Sequence, residues 1–169
     1  DFAGFTLLHL SDLHIDLEPT LARSVAAAIR HLRYDLCVMT GDYRNSTVGR
    51  HDVAVGAMLE LRRSIAAPVY AVLGNHDFLA MVPPLEEGGI RFLLNEAVAL
   101  RRAGAVLYLA GIDDPNIYRT HSLARALRRV AHGRYDEGGE REPHHPRQRR
   151  RPARQRCRRV GQRGLCARL

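Results

Sequence analysis

The sequence predicts an α/β fold: a parallel sheet built from strand–helix–strand units, followed by a second, partly antiparallel sheet. Three observations carry this expectation. Short continuous apolar runs alternate with amphipathic stretches of helical period. Each of the first three apolar runs stops at a polar cluster, and after the third the pattern changes to short strands separated by turn residues.

Thr6-Leu-Leu-His-Leu10 reads as a short buried strand that ends at Ser11-Asp12-Leu13-His14. Pro19-Thr20 opens a helix whose apolar positions Leu21, Val25, Ala28, Ile29 and Leu32 share one face. Leu36-Cys-Val-Met-Thr40 is apolar throughout, as expected of a strand covered on both faces, and ends at Gly41-Asp42. Asp52 is expected to cap a second helix carrying Val55, Met58, Leu59 and Ile65, which stops before Pro68. Val69-Tyr-Ala-Val-Leu73 is the third strand and ends at Gly74-Asn75-His76-Asp77. This alternation, with connections long enough for crossover helices, is that of right-handed βαβ units. Beyond it a short helix ends over Leu85 to Gly89, Ile90 to Leu94 is strand-like, and Val98–Leu100 pairs with Val106–Leu109 as a hairpin around Arg101-Arg-Ala-Gly104. Ser122 caps a last helix with Leu123, Ala126, Leu127 and Val130 on one face, running to His132-Gly133.

All 26 basic residues of the 169 are arginine, and 18 acids leave a formal charge of +8. The excess is local. Residues 1–133 hold 14 Arg and 14 Asp or Glu, whereas residues 134–169 hold 12 Arg and 4 acids. The neutral body suits one domain with a real core. Beyond Gly133 periodicity disappears, and Arg147 to Arg156, with almost no apolar residue, cannot offset the entropy of ordering and is assigned no fold; 134–169 is expected to be disordered or frameshift-derived. The longest charge-free run, Ser64 to His76, spans 13 residues with Pro68 inside it, too short for a membrane span. Cys37, Cys157 and Cys166 are odd in number and not closely spaced, which argues against a disulfide framework and for a reduced compartment. The chain opens at Asp1 without a signal-peptide pattern; it is expected to be a fragment, cytoplasmic or peripheral to a membrane.

The three strand ends carry the chemistry: Asp12 with His14, then Asp42, then Asn75 with His76 and Asp77. At the carboxyl edge of an open α/β sheet these clusters converge on one crevice. Carboxylate, imidazole and amide oxygen without thiolate suit Mn²⁺, Fe or Zn²⁺. Asp42 lies on the middle motif, and its two carboxylate oxygens make it the natural bridge between two ions. Asp12 to Asp42 is 30 residues and Asp42 to Asn75 is 33, each close to one strand–helix repeat.

With D-x-H, G-D and G-N-H-D in this order, the chain from Phe5 to about Ala131 resembles the calcineurin-like metallophosphoesterases. The resemblance implies a β-sandwich flanked by helices (αββα) and hydrolysis of a small phosphomonoester or phosphodiester by two divalent metal ions. It implies that Asp12 and His14 hold the first metal, Asp42 bridges, and Asn75 binds the second. His76 is then the catalytic imidazole, and Asp77 the partner that fixes its tautomer. Leu109-Ala-Gly-Ile-Asp-Asp-Pro115 is also similar to the branch of small bacterial phosphodiesterases and lipid-precursor pyrophosphatases.

The family's late histidine and G-H-x-H are absent, so the fold is expected to be incomplete at its C-terminus and the second metal short of ligands. His121, His132, His144 and His145 are expected at the surface and carry no metal role. The codons of His144-His145-Pro146, read one base later, are compatible with Ile-Ile-Leu, and those of Gly164 to Leu169 with Asp-Tyr-Val-Leu-Ala. The tail is therefore hypothesised to be a frameshifted end; an intact frame on resequencing from the Gly133 codon, with no downstream G-H-x-H in any frame, would sink this.

Three rival readings stand beside the hydrolase: a nucleic-acid-binding arm formed by the arginine tail, a nuclease of the same superfamily, and an inactive remnant. Oligomeric state is left open. Outside the motifs, His9 is expected as a satisfied core histidine and Cys37 as a buried thiol. Asp113 and Asp114 are expected to form a turn with Pro115 and Asn116. His31, Arg62-Arg63 and Arg128-Arg129 are expected on solvated helix faces.

Overall fold

Four strands, β1 (Leu7–Leu10), β2 (Leu36–Met39), β3 (Val69–Ala71) and β4 (Ile90–Phe92), form one parallel sheet in chain order. This computed structural model describes residues 1–131, apart from the side chains of Arg129 and Ala131. The expectations for the tail 134–169, for the helix end at His132-Gly133, and for His132, His144, His145, Cys157 and Cys166 lie outside the described residues. Among the described residues no helix is long and apolar enough to cross a membrane.

The crossovers are α1 (Leu21–Ile29), α2 (Asp52–Arg62) and, after a 3-10 turn at Leu79–Met81, α3 (Val82–Glu87), with α2 packed against both α1 and α3. Their apolar faces close one core with the sheet, including Ile29, Met39, Met58, Leu61, Ile65, Leu85 and Phe92. β2, apolar at every position, is covered on both faces; Cys37 lies fully buried there. Burial pushes the Cys37 thiol up to about 11, which keeps it neutral as a small hydrophobe.

The second sheet is the hairpin β5 (Glu96–Arg102) and β6 (Ala105–Gly111), antiparallel, with Ala103 and Gly104 at φ 47° and 80° in its two-residue turn. Two consecutive positive φ values match the twist of a tight hairpin. α4 (Leu123–Ala131) packs on β5 and β6, and its first turn is capped as expected: Ser122 Oγ accepts the Arg125 N–H at 3.3 Å. The α/β architecture with a second, antiparallel sheet is thus observed.

Several local expectations are corrected. β1 is an edge strand among the described residues, so only Leu8 and Leu10 pack on the core, while Leu7 and His9 point outward. His9 is accordingly exposed, not a core histidine. In α1 the covered face runs through Ala22, Val25, Ala26 and Ile29; Ala28 is exposed, and Leu32 lies past the helix end. Asp52 is the first residue of α2 and makes no cap; its carboxylate pairs with Arg50 at 2.7 Å and is held down to about 2, first by that hydrogen bond. Arg62 is not on a solvated face, since its guanidinium donates to Gly89 O at 2.9 Å and Ile65 O at 2.6 Å, tying the end of α2 to the start of β4.

Candidate metal centre

The register explains why residues from three strand ends meet. Leu10 pairs with Met39 and Met39 with Ala71, so Asp12, Asp42 and Asn75 follow two, three and four residues beyond one level of the sheet. The chain leaving β1 then continues the ladder along the chain leaving β2: Asp12 N–H donates to Gly41 O (3.2 Å), His14 N–H to Asp42 O (3.0 Å) and Ile15 N–H to Tyr43 O (2.8 Å).

That ladder holds an unusual backbone. Asp12, His14 and Asp42 have φ of 53°, 40° and 53°, a left-handed conformation that costs a non-glycine residue about 1–3 kcal/mol. Donor atoms of these same three residues lie within 4.8 Å of one another. Half of the six non-glycine residues with positive φ among the described residues thus lie where two carboxylates and an imidazole converge, and the convergence of two carboxylates favours a bound cation.

Glycine is required at two positions. Gly41 sits at φ 92°, and a Cβ there would run into the backbone of Gly74. A Cβ on Gly74 would in turn strike the carboxylate and the N–H of Asp42. The glycines of G-D and G-N-H-D therefore let the second and third strand ends touch.

Asp77 joins the three loops. It is fully buried, and its two oxygens accept N–H groups from Asp42 (2.8 Å), Tyr43 (2.9 Å), Gly74 (2.9 Å) and Arg44 (3.3 Å). Burial pushes this carboxyl up from its ordinary value, while the bonds from Gly74, Tyr43 and Arg44 oppose the rise. The expectation that Asp77 fixes the His76 tautomer is corrected by this geometry. Its lone pairs are taken by backbone, and His76 Nδ1 donates instead to the Asn45 carbonyl at 2.9 Å.

His14 is held in the same way, through Nδ1 to the Arg44 carbonyl at 2.7 Å, and its Nε2 is left free for a metal. Asp42 Oδ1 accepts the His76 N–H at 3.1 Å. Asn75 lines the cleft beside Gly74, and among the described residues its amide makes no hydrogen bond. The donor set, two carboxylates with one imidazole and a nearby amide, fits a hard or borderline divalent ion such as Mn²⁺, Fe²⁺ or Zn²⁺.

Other residues at the site escaped the sequence reading. His9 Nε2, Thr40 Oγ1, Ser11 Oγ and the Asp12 carboxylate form a chain of hydrogen bonds that runs from the exposed face of β1 to the cluster. Tyr43, fully buried, anchors the loop after β2 through its hydroxyl, 2.7 Å from Val72 O, and burial pushes its pKa well above the ordinary value so that it stays a neutral donor. Ser and Thr after a strand give no pattern that separates such roles from ordinary loop chemistry.

A cleft of about 210 Å³ opens on Asp12, Asp42 and Asn75 and is lined also by the loop after β6, from Ile112 to Asn116. The turn expected there is present. Asp114 is buried and accepts N–H groups of Asn116, Ile117 and Tyr118 at 2.9, 2.7 and 2.7 Å. Burial alone would raise its carboxyl, but these three donors outweigh it and hold the group below its ordinary value. His121 is exposed and outside the cluster.

The family model for calcineurin-like phosphoesterases matches residues 5–150 of this chain. The chain belongs to that family. A curated relative from Bacillus subtilis (strain 168), described as an uncharacterized metallophosphoesterase YkoQ, is 28% identical over 124 residues, which is 68% of this chain and 45% of the relative. The chain thus spans about half the length of this relative. Family membership accords with the α/β sheet and with the converging Asp12, His14 and Asp42.

Proposed function

We propose that this chain hydrolyses a small phosphomonoester or phosphodiester with the help of two divalent cations. The observation that carries the reading is the convergence of Asp12, His14 and Asp42 donor atoms within 4.8 Å at the mouth of a cleft. Asp12, His14 and Asp42 would hold one ion, and Asp42 with Asn75 would contribute to a second. Such ions, when bound, polarise phosphoryl oxygens and bring the pKa of a water towards neutrality. The protein's own groups do the rest. His76, with Nδ1 committed to Asn45 O, offers Nε2 to the substrate, where in its protonated form it donates to the leaving oxygen. Asp77 keeps the loops of Asp42 and Gly74 in register beneath that imidazole. Ile112 to Asn116 bound the space left for the leaving group.

The cleft, about 210 Å³, has room for a phosphate with a small substituent. Ser11-Asp12-Leu13-His14, the opening motif shared with nucleases of the same superfamily, supports the second reading, a nuclease. Mn²⁺ titration calorimetry together with hydrolysis of bis(p-nitrophenyl) phosphate, on the wild type and on Asp42→Ala, tests the proposal. Loss of metal binding and of turnover together is the expected result, and retained turnover in Asp42→Ala overturns it. Assays on single- and double-stranded DNA separate the nuclease.

A further inference from the structure

Arg44 is 1% exposed and, among the described residues, has no carboxylate partner. A buried guanidinium is costly unless its donors are satisfied. Here main-chain oxygens meet its two terminal amino groups: Nη2 donates to Val48 O (2.9 Å), Arg50 O (3.1 Å) and Gly49 O (3.4 Å), and Nη1 to His76 O (3.4 Å), while Nε is buried without a partner among the described residues. The guanidinium carbon lies 4.1 Å from the centre of the Phe78 ring. One side chain therefore spans the loop after β2 and the loop after β3, gripping both.

The loop whose far end it grips faces the two imidazoles with its near end, where the N–H groups of Arg44 and Asn45 donate to Asp77 (3.3 Å) and Asp16 (2.7 Å). The carbonyl of Arg44 itself faces His14 Nδ1, and the next carbonyl, of Asn45, faces His76 Nδ1. A carbonyl only accepts, so each ring carries its proton on Nδ1, and the Nε2 of the neutral ring is the free lone pair. We propose that Arg44 is a positioning residue that fixes the Nδ1–H tautomer and orientation of both His14 and His76, by tying Val48 to Arg50, the far end of the loop that presents these consecutive carbonyls, to the carbonyl of His76. The inference rests on the reading of His14 as a metal ligand and of His76 as the imidazole beside the substrate. A residue serving only the stability of the loop would leave the tautomers untouched.

The test uses ¹⁵N–¹H long-range correlation spectra of the histidine rings in the full chain without metal. Wild type is expected to show His14 and His76 each as the single Nδ1–H form. Arg44→Met is expected to show mixed tautomers for both, about tenfold weaker Mn²⁺ binding by calorimetry, and a fall in kcat with KM little changed. A folded Arg44→Met protein with both rings still Nδ1–H overturns the proposal. If Arg44→Met does not fold, Arg44→Gln, a neutral side chain too short to reach all four carbonyls, is judged by the same spectra: mixed tautomers support the clamp and unchanged ones overturn it. Failure of wild type to bind Mn²⁺ would strike the proposed function alone, because the tautomer comparison is made without metal.

Discussion

His14 and His76 meet edge to face, their ring centroids 5.3 Å apart and their planes at 83°. They come from the ends of different strands, 62 residues apart in the chain, yet both answer to the main chain of Arg44 and Asn45. The imidazoles are therefore fixed relative to each other by one dipeptide, with no side chain of either acting on the other's Nδ1. This arrangement, with the saturated carboxylate of Asp77 below it, makes the site a construction of backbone as much as of side chains, and the following outcomes are expected from it.

Gly74→Ala pushes a methyl group into the carboxylate and N–H of Asp42. Since both neighbours are main chain or tied to it, the site has little room to relax. A loss of about 1–3 kcal/mol is expected in urea unfolding, with Mn²⁺ binding weakened in calorimetry. Gly56→Ala is the control, because its Cβ would meet nothing within 4 Å in α2. There a gain of about 0.5–1 kcal/mol is expected from helix propensity.

Asp77→Asn keeps the size of the side chain but replaces one acceptor oxygen by an NH₂ group that faces N–H donors. Four buried N–H groups now depend on that carboxylate. Stability is expected to fall by about 2–4 kcal/mol. His76→Ala, by contrast, is expected to abolish turnover with little change in the urea midpoint. A small stability effect for Asp77→Asn would show that these four bonds are weaker than their geometry implies.

Asp114 supplies the pH dependence. Its folded pKa lies below the ordinary carboxylate value, so the ionised form is favoured by folding. The contribution is complete above the unfolded pKa of about 3.9 and is lost as the pH falls through the lower folded value. Comparing wild type with Asp114→Asn by urea unfolding, a difference of about 2 kcal/mol is expected at pH 6, shrinking below pH 4. A difference independent of pH would remove the ionised carboxylate from the account.

Asp12, His14 and Asp42 were legible in the sequence because a ligand's identity is its side chain, and because strand-length apolar runs announce where each side chain emerges. Arg44, Asn45 and Tyr43 were not. Asn45 acts through a carbonyl that every residue carries, and the Arg44 guanidinium finds its carbonyls through loop geometry. Asp77 is an instructive middle case: the residue was visible in its motif, but its partners are N–H groups brought up from Asp42, Tyr43 and Arg44 by a neighbouring strand. His9 was misread because a run of apolar residues does not say whether a strand lies at the edge or in the middle of a sheet. The hairpin β5–β6 was visible from its turn, Ala103-Gly104, with apolar runs on either side.

The strand order β1-β2-β3-β4 repeats the order of synthesis. Each new strand joins at the growing margin of the sheet, and none has to insert between two that are already paired. The converging side chains Asp12, His14 and Asp42, with Asn75, His76 and Asp77, all lie at or before the third strand end, whereas Ile112 to Asn116, which close the cleft, come later in the chain. On the ribosome the ligand side of the pocket is therefore synthesised first, and the wall from Ile112 to Asn116 is added to it afterwards.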